Sequence, residues 1–268
     1  MFKSPHIFAH IRGPQPVRQN MFPHRTRLLV LGPHPDDFDA IAVTLRCLTT
    51  GGNPLAAGIV RTGSGVLDTY ASDLTWGKKA DIREREQRNS MRFFGLPDNA
   101  VTFFSLDNDD GEGQLRETPA NLATLTAFVT ERKPDILFIP HGNDTNSAHR
   151  ALYAMVRKLV GGLDQPPILF LVRDPKTVAM RTDLYMPFDE KQAAWKAQLL
   201  RFHDTQHQRN LTTRGSGFDE RILEGNRQIA RELTLDAPYA EAFEVETYTP
   251  KGREQEGADR EAESTCNS

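Results

Sequence analysis

The run Leu28-Leu29-Val30-Leu31-Gly32-Pro33-His34-Pro35-Asp36-Asp37 passes from four aliphatic residues, through a glycine–proline stop, to one imidazole and two carboxylates. Four apolar residues without alternation read as a strand buried on both faces, as in a parallel sheet. Gly32 and Pro33 end it. Ala40-Ile41-Ala42-Val43-Thr44-Leu45 then opens a helical pattern. A strand that feeds a helix through a short loop sets that loop at the carboxyl edge of the sheet, where α/β proteins bind ligands. His34, Asp36 and Asp37 are therefore candidates for metal ligation and proton transfer. The plainer alternative is that the aspartates cap the helix that follows.

The same unit recurs along the chain. Short apolar runs predict strands over 55–60, 101–104, 136–139, 168–172 and 240–245. Helical patterns cover 80–94, 121–132, 151–160, 189–203 and 220–233, with Gly51-Gly52, Gly95 and Gly161-Gly162 as stops. Strand–loop–helix alternation predicts an α/β protein with a mainly parallel sheet and helices on both faces. Residues 1–26 show no period and read as an N-terminal arm, packed on the domain or on a partner subunit. Residues 27–249 form the domain, and the polar residues 250–268 read as a disordered tail. Residues 61–78 make a long, Gly/Ser/Thr-rich connection of the kind that serves as a lid or binding loop. The charge run Arg83-Glu84-Arg85-Glu86 reads by default as a solvated face. Asp107-Asn108-Asp109-Asp110-Gly111-Glu112-Gly113 superficially resembles a calcium loop, but lacks the ligand spacing and terminal Glu of an EF-hand.

Composition sets the outer bounds. With 268 residues, 38% hydrophobic and 26% charged, the chain fits a globular protein of one large α/β domain or two small ones. A net charge of −3 gives no electrostatic footprint for nucleic acid. Two distant cysteines, Cys47 and Cys266, make no disulfide framework and point to a reducing, cytoplasmic compartment. No apolar run reaches the ~18 residues of a membrane span, and the first residues carry no apolar signal core.

Two polar loops stand out, His34 to Asp37 and His141 to His149. Both follow strands and precede helices, so in a parallel sheet they share one edge and converge. His34, Asp37 and His149 would supply the three protein ligands of a hydrolytic zinc site, with the fourth position left to water. Asp36 would stand free to take a proton from that water. Water, a Lewis acid and one carboxylate together define hydrolysis of an amide or ester. Other chemistries fit less well. No Gly-x-x-x-x-Gly-Lys phosphate loop is present, and Gly63-Ser64-Gly65 lacks the strand-to-helix setting of a nucleophile elbow.

Pro33-His34-Pro35-Asp36-Asp37 resembles the His-Pro-Asp-Asp signature of the PIG-L/LmbE-like zinc-dependent de-N-acetylases. The resemblance runs from about Arg27 to Val245. It takes in the Arg-x-x-Glu helix at Arg83-Glu84-Arg85-Glu86 and the strand entry Lys133-Pro134-Asp135-Ile136. It continues through Lys196 with His203-Asp204-Thr205-Gln206, and Tyr239-Ala240-Glu241-Ala242-Phe243. It implies a Rossmann-like fold with one Zn2+ held by His34, Asp37 and His149, and Asp36 as general base. It implies removal of an N-acetyl group from an amino sugar or glycoconjugate, with Arg83 and Asp107 as candidates for holding the sugar and homo-oligomers in keeping with the family. Two positions depart from the pattern. The family's His-Pro-Asp-His aligns with Asn146-Ser147-Ala148-His149, so an asparagine replaces the histidine thought to stabilise the oxyanion. His141 or Asp144 would compensate from the same loop. Phe38 also replaces the common acidic residue after His-Pro-Asp-Asp. The alternatives carried forward are a non-catalytic zinc- and sugar-binding member of the fold, and a zinc amidase for another amide conjugate.

Overall fold

Every residue of β2 (Leu28–Gly32), β5 (Ile136–Pro140) and β6 (Ile168–Val172) is buried, as strands covered on both faces must be. The computed structural model describes residues 8, 11, 13–106 and 114–249. Strand β2 pairs in parallel with β3 (Leu55–Val60) and with β5. Strand β3 pairs with β4 (Val101–Phe104), and β5 with β6, again in parallel. The remaining strands are β1 (Gln15–Pro16), β7 (Leu184–Phe188) and β8 (Tyr239–Glu246). Strand β8 runs antiparallel between β6 and β7, and β1 lies parallel along the outer side of β7. The order across the sheet is β1-β7-β8-β6-β5-β2-β3-β4, the mainly parallel α/β architecture expected.

The pleat divides the core. Val30, Phe138 and Phe170 face one side, where they meet α1 (Ala42–Thr50), α2 (Trp76–Phe94) and α5 (Glu190–Leu200) through Leu45, Met91 and Ala193. Leu29, Leu137 and Leu169 face the other, against α3 (Pro119–Arg132) and α4 (Ser147–Val160) through Phe128 and Met155. Two further helices, α6 (Asp204–Arg214) and α7 (Phe218–Glu232), complete the described chain. Local chemistry sets several boundaries. Thr75 and Thr118 cap α2 and α3 with their side chains, and an Asp189–Gln192 capping box opens α5. Gly95, at φ +99°, closes α2 in the left-handed conformation that glycine adopts at least cost.

Several boundaries differ from the sequence expectation. Helix α2 starts at Trp76, and Asp68–Ala71 forms a single helical turn, so the connection over residues 61–78 is shorter and more ordered. Helix α4 starts at Ser147, which places His149 in its first turn and not in the loop. The helix expected over 189–203 ends at Leu200, and α6 follows at once. The charge run is not a solvated face: Arg83 and Glu86 are both buried. The described part of residues 1–26 packs on the sheet, with Phe8 edge-on to Phe170 at 5.6 Å and beside Phe22 at 5.8 Å. Asp107, the acidic loop around it, Cys266 and the tail over 250–268 lie outside the described residues. Among the described residues no helix is long and apolar enough to cross a membrane.

From β2 the chain builds outward to β3 and β4, then returns to place β5 on the other side of β2. The carboxyl ends of β2 and β5 therefore flank the point where the strand order reverses, where a crevice opens in such sheets.

Candidate metal centre and active site

The loop after β2 carries His34 to Asp37, and the loop after β5 leads into α4 with His149. The topology brings them together. One donor atom each from His34, Asp37 and His149 lies within 4.8 Å of the others. Asp37 sits between the two imidazoles: Oδ2 is 3.3 Å from His34 Nδ1, and Oδ1 is 3.4 Å from His149 Nε2. The backbone N–H of His34 also donates to Asp37 Oδ2 at 2.8 Å, which fixes the carboxylate. Gly32 permits this turn, because a Cβ there would come within 3.1 Å of Asp37 Cβ and 3.2 Å of the His34 carbonyl.

Asp144 completes the arrangement from behind. Its Oδ2 lies 3.1 Å from His149 Nδ1, and its Oδ1 accepts from Asn146 N at 2.6 Å. A histidine held this way by a carboxylate at Nδ1 presents Nε2 outward as the ligating nitrogen. Asp144 thus supports His149, a different place from the compensating part expected for it.

The electrostatics call for positive charge at this point. Burial opposes ionisation of Asp37, but His149 and His34 hold its carboxyl well below the usual range. Burial likewise lowers the His149 imidazole, yet Asp37 and Asp144 more than reverse this and carry it up to about 10. His34 is pushed down, chiefly by burial. Two imidazoles and a carboxylate, with a carboxylate partner behind one imidazole, fit a divalent zinc-type ion, which would enter in exchange for the proton.

Asp36 stands beside the donor set in a strained conformation, φ +134°. Two side chains of α2 hold it there. Gln87 Oε1 accepts from Asp36 N at 2.8 Å. Arg83 Nη2 donates to Asp36 Oδ1 and to the Pro35 carbonyl, both at 2.6 Å, and Nη1 donates to the Ser64 carbonyl. The guanidinium of Arg83 is thus occupied with positioning Asp36. Gln87 is oriented in turn by Asp39 and Ser90, and Asp39 pairs with buried His203. Gln87 was missed by sequence reasoning, although it lies one helical turn beyond Arg83 on the same face of α2.

His34, Asp36, Asp37, Asn146 and His149 all line one cavity of about 310 Å³. Asn146 caps α4, its side chain accepting from Ala148 N at 2.9 Å. That bond uses the carbonyl oxygen and leaves the amide NH2 as a donor on the cavity wall. His141 is not among the residues lining this cavity. Its Nδ1 accepts from Asn143 N, its Nε2 lies 3.5 Å from Glu244, and its ring stacks on Tyr153.

Two residues of the later motifs, Lys196 and Glu241, are structural, whereas Gln206 lines the cavity. Lys196 donates to Glu241, Asn226 and the Ala40 carbonyl, wholly buried. Glu241 accepts from Val43 N and Thr44 N, which pins the start of α1 directly behind the donor loop.

Residues 29–160 match the PIG-L family, described as GlcNAc-PI de-N-acetylase, and this span includes both donor loops. A comparison with curated proteins found no match. Among solved structures, the chain is similar to the N,N'-diacetylchitobiose deacetylase of Pyrococcus horikoshii. The TM-score is 0.67 and the identity 15%, over 85% of this chain and 88% of that one. It is similar to a deacetylase of the teicoplanin biosynthesis pathway, with TM-score 0.64 and 14% identity over 82% and 98% of the two chains. It is also similar to the 4-carboxy-2-hydroxymuconate hydratase of Pseudomonas putida, with TM-score 0.61 and 16% identity over 84% and 97%. At these identities the structures speak for the fold, and a hydratase on it shows that fold alone does not fix the reaction. From the family match over residues 29–160 and the shared fold, the chain carries a PIG-L family domain on an LmbE-like α/β fold.

Proposed function

We propose that this protein is a zinc-dependent hydrolase that removes an N-acetyl group from an amino sugar or glycoconjugate. One observation carries the reading: His34, Asp37 and His149 converge at the wall of a cavity that Asp36 also lines. Zinc held by these three residues would lower the pKa of a water and polarise the acyl carbonyl. Arg83 holds one oxygen of Asp36, Oδ1, and Asp36 takes the proton of the attacking water. The amide NH2 of Asn146 donates to the oxyanion of the tetrahedral intermediate; it supplies a hydrogen bond without a charge. Protonated Asp36 then gives its proton to the leaving nitrogen. The C–N bond breaks, and acetate and a free amine result. The names of two similar structures, a chitobiose deacetylase and a teicoplanin-pathway deacetylase, support the acyl-amide class.

The test is acetate release from N-acetylated sugars by the zinc-loaded protein and its Asp36→Asn variant. The variant is expected to bind about one zinc per chain, as the parent does, and to release no acetate above background. Near-normal turnover by the variant would remove Asp36 as the base. Bound sugar without acetate from any candidate would leave a binding protein, and a different acid product would indicate another amide.

A further inference from the structure

The cavity at the donor set is lined by four cationic side chains, Arg83, Lys176, Arg209 and Arg221, and by three carboxylates, Asp36, Asp37 and Asp174. The carboxylates are already engaged. Asp36 is taken by Arg83, and Asp37 by the two imidazoles. Asp174 accepts from Lys176 N at 2.8 Å and has an oxygen within 4.8 Å of donor atoms of His149 and Asp144. Lys176, Arg209 and Arg221 are left over, and among the described residues no side-chain hydrogen bond or ion pair holds any of them. Three half-buried arginines elsewhere do pair with carboxylates, Arg61 with Glu84, Arg88 with Glu84 and Arg173 with Glu232.

The three come from separate elements and line the one cavity. Lys176 follows β6, Arg209 is on α6 and Arg221 on α7. Arg209 is placed closely: a Cβ on Gly65 would lie 2.9 Å from its Nη1, so the guanidinium rests over the Gly65 turn beside Gln206. Burial lowers its pKa, and the neighbouring Arg83 adds to this more than Asp36 opposes it. Arg221 also lines a second cavity of about 860 Å³, which shares Ala40, Asp174 and Ile222 with the first. It therefore stands where the donor-set cavity continues into a larger groove. Cations that line a cleft without an ion pair to any described carboxylate concentrate anions there, and guanidinium forks match carboxylate and phosphate oxygens.

We infer that Lys176, Arg209 and Arg221 form an anion subsite, and that the substrate is an amino sugar bearing a carboxylate or phosphate beside its acetamide group. The inference narrows the substrate of the proposed deacetylase and rests on that reading for the acetamide part alone.

Sugars without an acetamide test the subsite independently of turnover. Binding of glucose, glucuronate, glucose 1-phosphate and glucose 6-phosphate to the zinc-loaded protein is measured by calorimetry. At least one anionic sugar is expected to bind tenfold or more tighter than glucose in low salt, with the preference shrinking as salt screens it. The carboxylate and phosphate arms tell the two sources apart. In Arg209→Gln/Arg221→Gln the preference should fall at least fivefold, and in Lys176→Gln it should fall measurably. None of the three side chains makes an ion pair among the described residues, so an unchanged unfolding midpoint is expected and is checked in parallel. Anionic sugars within twofold of glucose would overturn the proposal. So would a preference that survives in the double variant, since the anion would then sit on the metal. Acetate release from neutral N-acetylglucosamine is scored separately. If it occurs without any anion preference, the subsite fails and the deacetylase stands. If the preference behaves as expected and no N-acetyl sugar yields acetate, the subsite stands and the deacetylase fails.

Discussion

Glu241→Gln is the substitution that best tests how the donor loop is held. Lys196 and Glu241 are 0% and 1% exposed, and Nζ lies 2.7 Å from Glu241 Oε1. The remaining bonds of Lys196 go to neutral oxygens, of Ala40 at 2.6 Å and Asn226 at 2.9 Å. Glu241 also accepts from Val43 N at 3.1 Å, Thr44 N at 2.8 Å and Thr44 Oγ1. The change to glutamine leaves a buried ammonium without an anion and turns an NH2 toward donors. Removing one partner of a buried pair costs about 3–5 kcal/mol. An unfolding entropy of about 2.1 cal/mol/K per residue gives roughly 0.6 kcal/mol/K over 268 residues. The midpoint should therefore fall by roughly 5–9 °C. Thermal unfolding by circular dichroism measures this, with Lys196→Met and the double variant completing a cycle. The double variant should be less destabilised than the sum of the singles, because no charge is left unpaired. A midpoint for Glu241→Gln within about 2 °C of the parent, or a cycle additive to within about 0.5 kcal/mol, would refute the reasoning.

Four other outcomes are expected. Gln87→Leu takes the acceptor from the backbone N–H of Asp36; a drop of about tenfold in kcat, roughly 1.4 kcal/mol, with KM and bound zinc little changed, would mark it as a positioning residue, whereas an unchanged kcat would dismiss it. Asn146→Asp keeps an oxygen to cap α4 but has no NH2 to donate, so the midpoint should hold while acetate release falls about 10²–10³-fold. Added zinc should raise the parent's midpoint by mass action and leave that of His149→Ala unmoved; a similar rise in both would move the metal elsewhere. For His203, burial lowers the imidazole's pKa, but the hydrogen bond and charge of Asp39, joined by Asp36 and Glu86, carry it above its ordinary value. Its contribution is then complete below pH 6.5 and lost as pH rises through the raised value, so the midpoint should decline with pH more steeply in the parent than in His203→Gln.

The parallel core was legible because burial on both faces writes an unbroken apolar run: Leu28 to Leu31 and Ile136 to Ile139 need no partner to be read as strands. The convergence of the two donor loops followed from strand direction alone. Strand β7 was not legible, since Leu184-Tyr185-Met186-Pro187-Phe188 is only half-buried and carries a proline, which argues against a strand. Helix α6 was hidden for the opposite reason. Its buried residues are Thr205, Gln206 and Asn210, so it has no apolar face to betray a period. Thr205 instead binds Glu86 through both N and Oγ1. The same polar packing turned Arg83 and Glu86 inward, against the usual reading of a charge run. The Lys196 and Glu241 motifs were found by resemblance, but only the fold shows that they brace α1 from behind.

The insertion of β8 between β6 and β7 orders the events of folding. Strands β2 to β6 neighbour one another and are complete once Val172 has been made. The five-stranded half that holds both donor loops can therefore collapse early during synthesis, through contacts of modest sequence separation. Strands β7 and β1 have no edge to join until residues 239–246 arrive. Strand β1 must thus wait for β8 and β7 before it can pair, although Phe8 and Phe22 can meet Phe170 of β6 before then. A nascent or truncated chain lacking β8 would expose an apolar sheet edge at β6, a ready template for misassembly.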